Sequence, residues 1–289
     1  MARVDRAATR RALATRRPRP APVGSARLSV VVPAYREAGT IAATVARIRA
    51  ELADVAEHGG LEVVVVDDGS GDGTDDAARA GGADQVIALP VNRGKGGAVR
   101  AGVLASHGRT VAFTDADLAY APAQIDRLLR QVEAGWDVVV GSRFHADTTT
   151  LVKAPLLRDV GGRAINLATR AVLVGDHRDT QAGLKAFRSD VARVLFEHGH
   201  VDGFAFDVEL FHQVERYGLS LVEVPVEVSN SERSTVHVAR DAARLLVDLV
   251  RIRCHAAAGA YELGPGGIDA LLAVPEAEGP TSGPVDPAR

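Results

Sequence analysis

Residues 110–117 read Thr-Val-Ala-Phe-Thr-Asp-Ala-Asp, and this stretch decides the fold class. The apolar run Thr110–Phe113 has the length of a buried strand, and two carboxylates follow it at Asp115 and Asp117. Side chains at the carboxyl end of a parallel strand face the crevice where open α/β sheets bind ligands. Two carboxylates there suit Mg²⁺ or Mn²⁺ carrying a diphosphate, because these ions use one or two carboxylates together with substrate phosphates. An isolated Asp-x-Asp is more often a solvated turn, so the interpretation depends on the neighbouring strands.

The segments around this stretch alternate between strand and helix patterns. Further strands are predicted at Leu28–Val32, Glu62–Val66, Gln85–Leu89 and Val138–Val140. Helices are predicted from Ile41 with Thr40 as N-cap, over Ala98–Ser106 and over Ala121–Ala134. Because strands alternate with helices, we expect an α/β fold with a Rossmann-like, mostly parallel central sheet flanked by helices.

Beyond Val140 the alternation becomes irregular. The pattern predicts helices over 157–173, from Ser189 and over 206–217, a short strand ending at Phe187, and an edge strand over 219–228 interrupted by Pro225. Residues 236–254 have the pattern of an amphipathic helix. Its apolar stripe is predicted to contain Ala239, Ala242, Leu246, Leu249 and Val250, and its basic face Arg240, Arg244 and Arg251. Such a helix either packs on the domain or lies at a membrane interface.

Composition excludes several classes of protein. The 289 residues are 46% hydrophobic and 25% charged, as in ordinary globular proteins. A net charge of −3 argues against nucleic acid as a partner. The one cysteine, Cys254, excludes an intramolecular disulfide and fits a reducing cytoplasm. There is no apolar run long enough to cross a bilayer, so we expect a cytoplasmic protein without a transmembrane segment.

Three loop motifs resemble other ligand sites but are incomplete. The EF-hand-like run from Asp68 has Arg79 at the twelfth position, where calcium loops have Glu. Gly94-Lys95 lacks the first glycine and the Ser or Thr of a P-loop. Gly69-x-Gly71 is followed by Thr74, so the dinucleotide fingerprint is broken. These departures argue against a calcium sensor, a P-loop nucleotidase and a dehydrogenase.

Six motifs in order along the chain identify a known family. They are Val-Val-Pro-Ala-Tyr-Arg-Glu (31–37), Val-Asp-Asp-Gly-Ser-Gly-Asp-Gly-Thr (66–74), Asn-Arg-Gly-Lys-Gly (92–96), Asp-Ala-Asp (115–117), Gly-Ser-Arg (141–143) and Asp-Thr-Gln-Ala-Gly-Leu-Lys (179–185). From Leu28 to Arg253 the chain resembles the inverting family-2 glycosyltransferases with a GT-A fold, in particular those that move a sugar onto dolichyl or another polyprenyl phosphate. The motifs at 179–185 and 223–226 are more similar to the glucosyltransferases than to the mannosyltransferases.

The resemblance implies a role for each matching residue. It implies that Asp115 and Asp117, with Ala116 between them, bind the Mg²⁺ or Mn²⁺ that is carried by the diphosphate. The resemblance assigns nucleotide-sugar binding to the whole segment Asp115-Ala116-Asp117 and to Pro33, Tyr35, Glu37, Asp68, Lys95 and Gln181. It implies that Ser142, Arg143 and Arg158 bind the acceptor phosphate. The planar guanidinium of arginine suits this role, because it can donate two hydrogen bonds to one phosphate. The sequence departs from the family at Arg36, which replaces the usual Asn, at Leu184, which replaces Phe, and at Ser234-Thr235, which replaces Ser-Lys.

Four parts are therefore expected along the chain. They are an Arg- and Pro-rich disordered tail (1–25), a GT-A domain (26–235), an amphipathic helix (236–255) and a Gly- and Pro-rich disordered tail (256–289). The arginines of the first tail and of the helix would contact an anionic membrane surface, making the protein peripheral on the inner face of a membrane.

The expected reaction is the metal-dependent, inverting transfer of a hexose from UDP-glucose or GDP-mannose to a polyprenyl or dolichyl phosphate. A phosphate monoester has a second pKa of about 6, so this nucleophile needs positioning more than a base. Asp117 and Asp207 are the candidate catalytic residues, with Asp207 or Glu209 as base if the acceptor is a hydroxyl. The alternatives are a soluble family-2 enzyme acting on such a hydroxyl and a non-catalytic nucleotide-binding module. The sequence leaves the oligomeric state open.

Overall fold

The computed structural model describes residues 19–143, 148–152, 182–229 and 238–272. The strands are β1 (Ala26–Ala34), β2 (Leu61–Asp67), β3 (Gln85–Ala88), β4 (Gly108–Phe113), β5 (Val138–Ser142), β6 (Thr149–Val152), β7 (Lys185–Arg188), β8 (Leu221–Pro225) and β9 (Glu227–Ser229). The helices are α1 (Ile41–Glu51), α2 (Ala53–Glu57), α3 (Thr74–Ala80), α4 (Lys95–Ala105), α5 (Gln124–Glu133), α6 (Ser189–Glu197), α7 (Phe206–Arg216), α8 (Val238–Ala257) and α9 (Gly267–Leu272). The helix predicted over 157–173 lies outside the described residues.

Seven strands form the central sheet in the order β3-β2-β1-β4-β7-β5-β8. All neighbours in the sheet are parallel except β7, which runs antiparallel to both β4 and β5. The predicted mostly parallel sheet is thus confirmed, and β8 lies at its edge as Pro225 indicates. A second, two-stranded sheet joins β6 and β9.

Helices cover both faces of the sheet, which explains why β1 is apolar at consecutive positions. Val31 faces the layer that contains α4, α6, α7, α8 and α9. Val30 and Val32 face the opposite layer, formed with α1 and α5. Because the central strands β1, β2 and β4 are buried on both sides, their carboxyl ends are the parts left open to a ligand.

The amphipathic helix α8 is present, but its buried face differs from the predicted stripe. Leu245, Leu249 and Ile252 are buried, whereas Leu246 and Val250 are exposed. A helix with apolar residues on more than one face can pack either face against the core. Here the face with Leu245, Leu249 and Ile252, at spacing i, i+4, i+7, packs inward. Arg244 and Arg251 are exposed, as expected.

Parts of both predicted tails are ordered. Tyr261 is fully buried after α8, and Ile268 and Leu272 of α9 pack into the core, so the expectation of disorder from residue 256 is wrong as far as Leu272. The reason is the i, i+4 spacing of these two apolar residues, which a composition rich in Gly and Pro concealed. At the other end Arg19 Nη1 lies 2.7 Å from Asp137 Oδ1. Residues 1–18 and 273–289 lie outside the described residues.

Candidate active site

The chain changes direction across the sheet between β1 and β4. From β1 it proceeds to β2 on one side, and from β3 it returns through α4 to β4 on the other. Such a switch point opens a crevice at the carboxyl ends of the two strands. Pairing between β1 and β4 ends at Val31 and Phe113, whereas Pro33 is still paired with Val66 of β2, so the missing N–H of Pro33 costs no bond to β4.

The Asp-Ala-Asp segment forms a tight turn at this point. The Leu118 N–H donates to the Asp115 carbonyl at 3.1 Å, and Leu118 has a positive φ of 48°. Thr44 of α1 donates its hydroxyl to the carbonyl of buried Ala116 at 2.8 Å. This anchoring leaves Asp115 partly exposed and Asp117 exposed at the crevice. Leu118 is held in a backbone region that disfavours bulky residues, and such strain is typical of functional sites.

Lys95 forms an ion pair with the first aspartate. It is the first residue of α4, and its Nζ lies 2.5 Å from Asp115 Oδ1. Burial alone would lower the pKa of Lys95, but the charges of Asp115 and Asp207 outweigh burial and raise it. Lys95 therefore carries a positive charge beside the carboxylate pair.

Asp68 organises the loop that carries Lys95. Its carboxylate accepts hydrogen bonds from the Arg93 N–H at 2.7 Å and the Gly94 N–H at 2.8 Å. Burial raises the pKa of Asp68, and these two N–H groups oppose the shift. Asp68 lies at the crevice as predicted, but its oxygens are already used in joining the loop after β2 to the loop before α4.

Tyr35 and Glu37 follow β1 at the same edge. Tyr35 is 44% exposed, which leaves part of its ring free for a ligand. The Glu37 N–H donates to Thr74 Oγ1 at 2.9 Å, and its carboxylate accepts from the hydroxyl of Thr40. Thr40 is thus at the predicted N-cap position of α1, but its side chain bonds Glu37 rather than the helix.

Asp207 is paired with a buried lysine. Its Oδ1 lies 2.7 Å from Lys185 Nζ, and Asp207 is only 4% exposed. Burial raises the pKa of Asp207, while Lys185 and Lys95 oppose the shift. A carboxylate held in a buried ion pair is poorly available as a proton acceptor. Glu209 is further from this role, because its oxygens accept from the N–H groups of His200 and Val201 and from the Tyr261 hydroxyl.

Lys185 also shapes the backbone beside Asp115. Its Nζ donates to the Ala182 carbonyl at 2.6 Å, which fixes the turn through Gly183. A Cβ built on Gly183 would lie 2.2 Å from Asp115 Oδ2, so the aspartate packs directly on the glycine backbone. Gly183 and Lys185 were not assigned site roles from the sequence. The Lys in the apolar run 182–187 was the available signal, since a cation there requires a buried partner.

Two of the three predicted acceptor-phosphate residues, Ser142 and Arg143, lie further along the same edge. Ser142 ends β5, two strands from β4 and hence about 10 Å away. Its hydroxyl is buried, and no partner for it is found among the described residues. Arg143 is exposed next to it. Gln181 and Arg158, the remaining predicted site residues, lie outside the described residues.

The donor set fits a divalent cation that is shared with a substrate. Asp115 and Asp117 provide accessible hard oxygen ligands at the crevice, and Mg²⁺ or Mn²⁺ completes its shell with phosphate and water. No group of three or more His, Cys, Asp or Glu side chains is arranged to hold a metal within the described ranges. The part of the chain that the structure describes has no helix long and apolar enough to cross a membrane.

A mixed sheet with paired aspartates at its switch point defines the GT-A class of glycosyltransferase. Its solved relatives include glucosyl-3-phosphoglycerate synthase from Mycobacterium tuberculosis, crystallised with Mn²⁺, uridine diphosphate and glucosyl-3-phosphoglycerate. That structure matches with a TM-score of 0.59 and 23% identity over 78% of this chain and 80% of the other, and this shows the shared fold.

Sequence comparison gives the family. The model of glycosyl transferase family 2 matches residues 29–196. A dolichyl-phosphate beta-glucosyltransferase of Drosophila melanogaster is 36% identical over 217 residues, covering 70% of this chain and 67% of the relative. The human protein of the same name is 30% identical over 251 residues, covering 82% and 78%. The chain therefore belongs to glycosyl transferase family 2.

Proposed function

We propose that this glycosyltransferase moves glucose from UDP-glucose to a dolichyl or other polyprenyl phosphate, with inversion at the anomeric carbon. The observation that carries the proposal is the Asp115/Asp117 pair at the switch point with Lys95 beside it. One or two carboxylates suit the cation that a diphosphate carries, and an ammonium group beside them suits the negative charge of the diphosphate itself. The names of the relatives support glucose and a lipid phosphate, and the uridine diphosphate in the mycobacterial structure supports the nucleotide.

Asp115 and Asp117 would hold the divalent cation, and Lys95 would lie next to the leaving diphosphate. When bound, the cation would neutralise the negative charge that develops on the leaving diphosphate. Tyr35, Glu37 and Pro33 would bind the nucleoside, and Asp68 would keep the loop after β2 joined to the loop before α4 through its bonds from Arg93 and Gly94. The metal and nucleotide residues thus come from segments that follow four neighbouring strands, β3, β2, β1 and β4.

The acceptor phosphate would bind at Ser142 and Arg143. One of its oxygens forms the bond to the anomeric carbon, and the bond from that carbon to the diphosphate oxygen breaks, with the electron pair leaving on the diphosphate. The nucleophile has a second pKa of about 6 and needs no proton acceptor at neutral pH. This agrees with the ion pair of Asp207, which we assign to positioning rather than to proton transfer.

A membrane contact would bring the lipid to this edge. Leu246, Val247 and Val250 of α8 are between 52 and 63% exposed, and exposed Arg244 and Arg251 lie on the same helix. Aliphatic side chains beside arginines are typical of a helix lying in an anionic membrane surface. We expect sedimentation with anionic liposomes at low salt, weakened by Val247→Asp or Val250→Asp. Leu271→Asp, an exposed aliphatic residue on α9, is the matched control and should leave sedimentation unchanged.

The reaction itself is tested by incubating the protein with UDP-glucose, Mn²⁺ and a detergent-dispersed polyprenyl phosphate, and following release of UDP and formation of the glycolipid. Asp117→Asn should lower the rate of both by about 100-fold or more, and Asp76→Asn, at an exposed position of α3, should change neither. Turnover onto hydroxyl acceptors but not onto the lipid phosphate would replace the proposed acceptor. Absence of UDP release with every acceptor would contradict an enzymatic function.

A further inference from the structure

Arg36 has a backbone conformation that arginine rarely adopts. Its φ is 58°, and Leu118 is the other non-glycine residue with positive φ in the described ranges. Left-handed backbone costs an L-residue with a bulky side chain free energy, whereas Asn and Gly tolerate it. Arg36 follows β1 and Leu118 follows the Asp-Ala-Asp segment, so both lie at the carboxyl edge of the sheet.

The neighbouring loop holds this conformation in place. The Arg36 N–H donates to Ser70 Oγ at 2.8 Å, and the Ser70 N–H donates to Asp67 Oδ1 at 3.0 Å. The next residue is fixed as well, because the Glu37 N–H donates to Thr74 Oγ1. Strain persists only where the surroundings over-determine it, and here the loop after β2 does so.

The strained backbone places the guanidinium over an exposed aromatic ring. Arg36 Cζ lies 5.2 Å from the centroid of Tyr35, and both side chains are exposed. No carboxylate forms an ion pair with Arg36 among the residues that the structure describes. Neither the fold nor a salt bridge thus accounts for an arginine at a position that favours Asn.

We infer that Arg36 binds the base of the donor nucleotide by stacking its guanidinium plane on the ring of the base. This rests on the proposed function, in which Tyr35 and Glu37 bind the nucleoside, so that the base would lie beside Tyr35. A guanidinium is planar and weakly hydrated, so it stacks on aromatic rings, whereas the compact lysine ammonium is a strongly hydrated point charge. Arg36 and Tyr35 together present two flat groups to the base at the mouth of the crevice.

The test is calorimetric titration with UDP and with UMP in the presence of Mn²⁺. Arg36→Asn should weaken binding of both nucleotides by the same factor, roughly 2- to 30-fold, because the lost contact is to the base that they share. Arg36→Lys should be as weak as Arg36→Asn, since it keeps the charge and loses the plane. Arg47→Ala, on the exposed side of α1, is the control and should bind as the wild type does.

Thermal unfolding of the same variants separates binding from folding. Arg36→Asn relieves the backbone strain and should melt at or above the wild-type temperature while binding nucleotide less well. Unchanged UDP affinity in Arg36→Asn would overturn the inference and leave the proposed function standing. Two results together would overturn stacking in favour of a phosphate contact. They are wild-type affinity in Arg36→Lys, and a larger loss of affinity for UDP than for UMP in Arg36→Asn. A wild-type protein that binds neither nucleotide would contradict the proposed function itself.

Discussion

Gly183→Ala should inactivate the enzyme without unfolding it. The added Cβ would meet Asp115 Oδ2 at 2.2 Å and Asp115 Cγ at 3.1 Å, with Tyr120 Cε2 at 3.3 Å. The nearest atom is the end of a movable side chain, so the protein can respond by turning the carboxylate away by about 1 Å. We expect a small loss of stability, about 1 kcal/mol or less, because no backbone has to move. A displacement of about 1 Å in a reacting constellation costs on the order of 100-fold in rate.

The measurement is kcat for UDP release with Mn²⁺, together with the melting temperature of each variant. Gly264→Ala is the matched control, because a Cβ there has no neighbour within 4 Å and its φ is not positive. A Gly183→Ala protein with wild-type kcat would refute the reasoning that Asp115 is held against this glycine for function. A large drop in melting temperature would instead show that the glycine serves folding.

Three further predictions concern charged groups. Asp117→Asn should lower kcat by about 100-fold or more, and UDP binding should lose its dependence on Mn²⁺ in titrations with and without the metal. Asp207→Asn should destabilise the fold by about 3–5 kcal/mol in urea unfolding, because it removes the carboxylate that forms a buried ion pair with Lys185. The double variant Asp207→Leu/Lys185→Met should recover most of that stability, and failure to recover would argue against the ion pair as the cause. Burial lowers the folded-state pKa of His212 below 6.5. Around that pH the folded protein therefore binds fewer protons than the unfolded chain. The free energy of unfolding should consequently fall as the pH drops below about 6.5. Melting temperatures between about pH 5 and 8 should show this slope for the wild type and a shallower one for His212→Phe.

The strands and the position of the aspartate pair could be predicted from the sequence, because both are local properties. A run such as 110–113 is apolar because it is buried on both faces, and the residues after a parallel strand must lie at its carboxyl edge. The predicted GT-A fold and family are confirmed by the sheet order and by the comparisons. The assigned role of each site residue stays a prediction until the variants are measured.

The partners of the charged groups were decided by the tertiary structure. Lys95 meets Asp115 because the crossover through α4 brings the loop after β3 beside the end of β4. Lys185 meets Asp207 because β7 enters the sheet antiparallel and α7 packs over it. Such pairings join positions far apart in the chain, and periodicity contains no information about them.

The same division explains α8 and the C-terminal residues. Sequence by itself predicted a helix with apolar and basic positions over residues 236–254, and the structure has it at 238–257, since helical periodicity is a property of one segment. Only the tertiary structure decided that Leu245 faces inward and Leu246 outward, and that Tyr261 and Ile268 join the core. The physical reason is that burial depends on the surface that a segment meets, and that surface is made by other parts of the chain.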